Sequence, residues 1–136
     1  MTVRKLSLVL AFAFASVTAH AAELKIATLA PQGTTMFNAL QTAANDVAAK
    51  PGGKVTVKIF GGGVQGDEKD VVRKMRYGQL SGAALTGNGL GLIDPQVRVL
   101  ELPFLFQNDA QVDKVYGGLK DYFTKAFDAK GFVLMG

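Results

Sequence analysis

The chain has no cysteine, no tryptophan and one histidine, His20. Without cysteine there is no disulfide, no thiol nucleophile and no cysteine metal site. His20 lies in an N-terminal leader, and beyond the leader one serine remains, Ser81. The mature chain therefore lacks a histidine general base, a Ser-His-Asp triad and histidine metal ligands. Carboxylates, lysines and tyrosines are what remain for chemistry. No metal site and no cofactor is expected.

The leader has the parts of a secretory signal. Arg4 and Lys5 form the positive region, Leu6 to Val17 the apolar region, and Ala19-His20-Ala21 a small-residue cleavage site. The apolar run is too short to span a bilayer, and no longer one follows. The alternative, a buried N-terminal helix, accounts for none of these parts together. Residues 1–21 are thus expected to be a signal peptide cleaved near Ala21, so the protein is exported. Losing Arg4 and Lys5 leaves thirteen basic and eleven acidic residues, a net charge of +2. The lysines are scattered, without a stripe or interleaved aromatics, so nucleic-acid binding is not indicated.

Patterning beyond Ala22 alternates between periods. Glu23 to Ala30 reads as a strand ended by Pro31-Gln32-Gly33. Thr34 or Thr35 is placed to cap a helix to about Lys50, with Phe37, Leu40, Ala44, Val47 and Ala48 as its buried stripe. Pro51-Gly52-Gly53 stops it. Val55, Val57 and Ile59 alternate with Thr56 and Lys58, a strand of period two. A glycine loop precedes a helix over about 67–77, with Val71, Val72 and Met75 inward and Gly78 beyond its end. SGAALTG reads as a short strand, GNGLGLIDP as a loop with at most one helical turn, and VRVLELPFLF as an apolar connector. DAQVDKVYGGL and KDYFTKAFDAK read as two helices, and FVLMG as a further strand. The order βαβαβ, connector, two helices, β predicts an α/β fold with a largely parallel sheet flanked by helices. The chain stops on Met135-Gly136 without a polar tail, which suggests an incomplete unit.

Two glycine loops invite a phosphate reading. Gly61 and Gly66 have P-loop spacing, but Asp67 and Glu68 stand where Lys and Ser/Thr belong, and a phosphate would meet two negative charges. Asp67 instead suits a helix cap, with Asp70 completing a capping box. Glu68 fits either the first turn of that helix or a cleft. TGNGLG, Thr86 to Gly91, misses the dinucleotide fingerprint at Leu92. It is either a tight turn or a ligand loop at a strand's C-terminal end, where open α/β sheets bind small molecules. Phe104 in LPFLF is either core packing or a pocket wall.

The motifs LKIATLAPQGT, VTVKIFGGGVQGDEKDVVRKMRYGQLSGAALTG and RVLELPFLF, in this order, resemble the periplasmic solute-binding proteins of TRAP (tripartite ATP-independent periplasmic) transporters, dicarboxylate-binding type. The resemblance runs from about Leu24 to the last residue. It implies a periplasmic protein, not an enzyme, of two α/β lobes. Such a protein captures a small organic acid in the cleft and delivers it to membrane permease subunits for transmembrane transport. Residues 22–136 are then an incomplete first lobe, with the family's ligand-binding arginine beyond Gly136. The family positions that line the cleft fall on Leu29, Ala30, Pro31, Glu68, Thr86 and Gly87, with Asn88 and Phe104 as further candidates. Leu29 and Thr86 depart from the amide and acid found in acid-sugar binders of the family, which argues against a sialic-acid-like ligand. Two other readings stand beside this one. One is an exported enzyme using paired carboxylates such as Glu68 and Glu101; the other is a ligand sensor without a permease.

Overall fold

The computed structural model describes residues 22–50 and 55–135; the expected signal peptide and the Pro51-Gly52-Gly53 stop lie outside them. Strand β1 (Ala22–Thr28) runs into helix α1 (Thr35–Ala48), then β2 (Val55–Phe60), α2 (Glu68–Arg76), β3 (Gly82–Ala84) and α3 (Gly87–Ile93). A 3-10 helix (Pro95–Glu101) and a long helix α4 (Asp109–Asp128) follow. The three strands form a parallel sheet in the order β2-β1-β3. The α/β architecture predicted from the sequence is the one observed.

Register explains which residues share a face. Ala27 lies opposite Phe60 on one side and Ala83 on the other. These three face Val71 of α2, and with Leu80, Met75 and Leu85 they form one core cluster. Ile26, in register with Ile59 and Gly82, belongs to the alternate face. A second cluster joins Val72, Ile93 and Phe127, so α2, α3 and α4 share one core. Burying Phe127 contributes about 1.5–3 kcal/mol.

Caps form where the sequence places them. Thr34 Oγ1 accepts from Phe37 N at 3.3 Å, and Asp67 Oδ1 from Asp70 N at 2.9 Å. Asp70 does not complete the reciprocal box. Its carboxylate turns instead to Arg73 at 2.7 Å, a neighbour on the same helix.

Four expectations need correction. In the predicted stripe of α1 only Ala44 is buried, while Val47 and Ala48 are exposed, because α1 packs on β2, a sheet-edge strand, and overhangs it. GNGLGLI is a seven-residue helix rather than a loop with one turn. DAQVDKVYGGL and KDYFTKAFDAK form one helix of 20 residues, unbroken at Gly117-Gly118. Residues 132–135 are not a strand; Phe132 and Leu134 pack on the Val72–Ile93–Phe127 cluster, and among the described residues no strand pairs with them.

Candidate functional site

Parallel strands end on the same edge of their sheet, so the loops after β1, β2 and β3 meet there. Helices α1, α2 and α3 each begin at that edge. This is where ligands bind in open α/β sheets.

The first two loops are joined by backbone hydrogen bonds. Ala30 O accepts from Gly62 N at 2.9 Å, and Thr28 O from Gly63 N at 3.4 Å. Gly62 and Gly63 have φ of 67° and 72°, a left-handed turn that glycine adopts without strain. At Gly61 a Cβ would lie 2.9 Å from Ala30 O and against the Phe37 ring, so the loops close only around a residue without a side chain. The amides of Gly62, Gly63 and Gly66 donate to protein carbonyls rather than to an open cradle. That agrees with the electrostatic case against phosphate. Leu29 and Pro31 are exposed on this edge and Ala30 is half-buried.

The third loop is held by Glu68. Its Oε1 accepts from Thr86 N at 2.6 Å and its Oε2 from Thr86 Oγ1 at 2.7 Å. Glu68 is 5% exposed, while Thr86 is exposed. Its carboxylate lies against Gly89, where a Cβ would fall 2.8 Å from Glu68 Cδ. The first-turn alternative for Glu68 is the one observed, since it opens α2. Its side chain reaches the loop after β3, where both oxygens face Thr86.

Beyond Thr86, Gly87 is covered by the Glu101 side chain and Gly91 by Arg98. Arg98 Nη1 donates to Asn88 Oδ1 at 3.2 Å, and Arg98 Nε pairs with Glu101 Oε2 at 2.5 Å. Glu68 and Glu101 therefore flank the first turn of α3, each already engaged, one by a hydroxyl and an amide, the other by a guanidinium. Among the described residues no group of three His, Cys, Asp or Glu is placed to hold a metal ion. No helix among them is long and apolar enough to cross a membrane.

Phe104 is not drawn into this arrangement. It sits in the turn closed by Leu105 N donating to Leu102 O at 3.2 Å, with φ 62° and its side chain 98% exposed. Among the described residues Phe104 is therefore not part of a core.

Sequence reasoning passed over two charged residues that organise this region. Asp94 is buried, and its Oδ1 accepts from Gln96 N at 3.1 Å to cap the 3-10 helix. The Gln96 amide first, and Lys130 second, hold its carboxyl below the ordinary carboxylate range against the opposing effect of burial. An Asp directly before a Pro that opens a helix is a readable cap signal. Arg98 is signalled by its spacing of three from Glu101.

Residues 26–136 match the family model of bacterial extracellular solute-binding proteins, family 7. A solute-binding protein of Chromohalobacter salexigens is 31% identical over 98 residues, covering 71% of this chain and 29% of that protein. A TRAP periplasmic solute-binding protein of that species, solved with bound D-glucuronate, aligns at TM-score 0.70 and 29% identity, over 79% of this chain and 36% of that one. The corresponding protein of Sulfitobacter sp. NAS-14.1, with bound β-D-galacturonate, aligns at TM-score 0.76 over 84% of this chain and 38% of that one. At 23% identity the latter bears on the fold alone. The chain spans 29% of the Chromohalobacter relative's length.

Proposed function

Because the chain belongs to the bacterial extracellular solute-binding proteins of family 7, we propose that it captures a small organic acid outside the cytoplasm and delivers it to a TRAP membrane permease. The observation that carries this reading is the meeting of three strand-end loops and three helix starts on one sheet edge. Leu29 and Pro31 give that edge an apolar part, and Thr86, Gly87 and Asn88 a polar one, with Ala30 between. The described chain forms the first of two lobes, and the ligand's carboxylate takes its charged partner from the second. Phe104, exposed on its turn, supplies a wall for the closed cleft. The protein acts by binding and closure rather than by catalysis.

The D-glucuronate found in the Chromohalobacter structure makes sugar acids the first class to test. Titration calorimetry on the mature full-length protein with D-glucuronate, D-galacturonate and succinate is expected to give at least one micromolar or tighter Kd. A folded protein that binds none of them and shows no thermal shift with any would overturn the reading.

A further inference from the structure

Thr86 occupies the cap position of α3, yet its hydroxyl caps nothing: no hydrogen bond runs from its side chain to the helix. A threonine there ordinarily accepts from an amide of the first turn. Here the hydroxyl proton is committed elsewhere. A carboxylate only accepts hydrogen bonds, so in the 2.7 Å contact with Glu68 Oε2 Thr86 Oγ1 is the donor. Glu68 Oε1 meanwhile holds the Thr86 amide at 2.6 Å, which fixes the residue's position. The oxygen's lone pairs remain, on an exposed residue at the loop edge.

We propose that Glu68 is a specificity-positioning residue: by accepting the hydrogen bond of the Thr86 hydroxyl it leaves Thr86 Oγ1 an acceptor only, so this edge receives a ligand hydroxyl and turns away a carboxylate. The inference rests on the solute-binding reading and deepens it. A ligand carboxylate approaching Thr86 would bring acceptor against acceptor, with the Glu68 and Glu101 carboxylates on either side of the first turn of α3. The cation there, Arg98, already holds Asn88 and Glu101. A ligand hydroxyl meets no such conflict. The preferred ligand is therefore a polyhydroxy acid, bound with its hydroxyl-bearing end on this lobe and its carboxylate away from it.

Glu68→Gln tests the proton direction with little change of shape. The amide oxygen still accepts from Thr86 N, whereas the new NH2 donates to Thr86 Oγ1. That turns the hydroxyl proton outward and makes Thr86 a donor to the ligand. Titration of the mature full-length protein with D-glucuronate and with adipate, a six-carbon diacid without hydroxyls, reads the consequence as a ratio. Wild type is expected to prefer D-glucuronate, and Glu68→Gln to lower that preference about tenfold, the scale of one hydrogen bond. Thr86→Ser should keep the preference and Thr86→Val should lose it. A merely structural role for Glu68 weakens both ligands alike, and an unchanged ratio in Glu68→Gln overturns the inference while leaving the carrier reading intact. NMR provides a check without ligand: the Thr86 hydroxyl proton should be slowly exchanging in wild type. A rapidly exchanging proton also overturns the inference. If wild type binds neither acid, nor any other organic acid, the carrier reading falls and the specificity falls with it.

Discussion

Lys130 Nζ stands 3.1 Å from Asp94 Oδ2, joining the chain just beyond α4 to the start of the 3-10 helix. Asp94 is 2% exposed and also caps Gln96, so one carboxylate ties together two elements that are distant in sequence.

This tie predicts an acid-sensitive contribution to stability. The folded carboxyl of Asp94 is held below its ordinary value, chiefly by the Gln96 amide. A depressed carboxylate stabilises the fold fully above its unfolded pKa, about 3.9, and loses that effect as pH falls through the lower folded value. Asp94→Asn keeps an acceptor for the cap but removes the charge. It should cost about 1 kcal/mol at neutral pH, the difference between a charged and a neutral hydrogen bond. In urea titrations the gap between wild type and Asp94→Asn should be constant above about pH 5 and shrink below about pH 4. A gap that stays constant down to pH 3 would assign the acid response to other groups.

Gly117 and Gly118 lie inside α4, and a Cβ at either would meet no atom within 4 Å. Both carry the entropic penalty of glycine with no packing reason in the described residues. Gly117→Ala and Gly118→Ala should each stabilise by up to about 1 kcal/mol. Calorimetric melting should show Tm rising by several degrees for each. A fall in Tm would mean that the exposed face of α4 requires the close approach glycine permits.

The glycines of α3 divide differently. A Cβ at Gly89 meets Glu68 Cδ at 2.8 Å and Leu85 Cβ at 3.0 Å, groups fixed by the Thr86 bonds and by the core. At Gly91 it meets the Cγ and Cδ of the half-exposed Arg98, which has room to move. Gly89→Ala should therefore cost about 1–3 kcal/mol. Gly91→Ala should be neutral or gain up to about 1 kcal/mol from helix propensity. Chemical denaturation of the two variants ranks them directly; equal effects would contradict the packing described around Glu68.

The same glycines show what a sequence reveals and what it hides. Strands β1 and β2, helices α1 and α2, and their caps at Thr34 and Asp67 were readable because period and capping are local properties. Glycine is locally a breaker, so GNGLG read as a loop and the stretch from Lys120, just after Gly117-Gly118-Leu119, as a second helix. In α3 the glycines instead make room for Glu68, Glu101 and Arg98. Those contacts join residues up to about twenty positions apart, and no local rule reports them. The loop edge was legible because parallel strand order dictates it. The bonds from Glu68 to Thr86 were not, since nothing in GDEKD states where a first-turn carboxylate points. The end of the chain misled for a related reason: FVLMG has strand composition, but Phe132 and Leu134 are taken by the α2–α3–α4 core.

Phe104 combines two unfavourable features, and removing them one at a time separates fold from function. Its φ of 62° costs a residue with a Cβ about 1–2 kcal/mol relative to glycine, and its ring, 98% exposed, gains no burial in return. A strained turn that displays an aromatic ring to solvent is poorly explained by packing among the described residues. Phe104→Ala keeps the strain and removes the ring, so stability should hardly change. Phe104→Gly removes both, so stability should rise by up to about 1 kcal/mol. If the ring closes on the ligand, both variants should weaken D-glucuronate binding in the mature full-length protein by a similar factor, on the order of tenfold. Melting curves and titration calorimetry on the same two variants test the separation. Unchanged affinity in both would remove Phe104 from the proposed site, and a loss of stability in Phe104→Gly would show that the ring packs against a part of the protein outside the described residues.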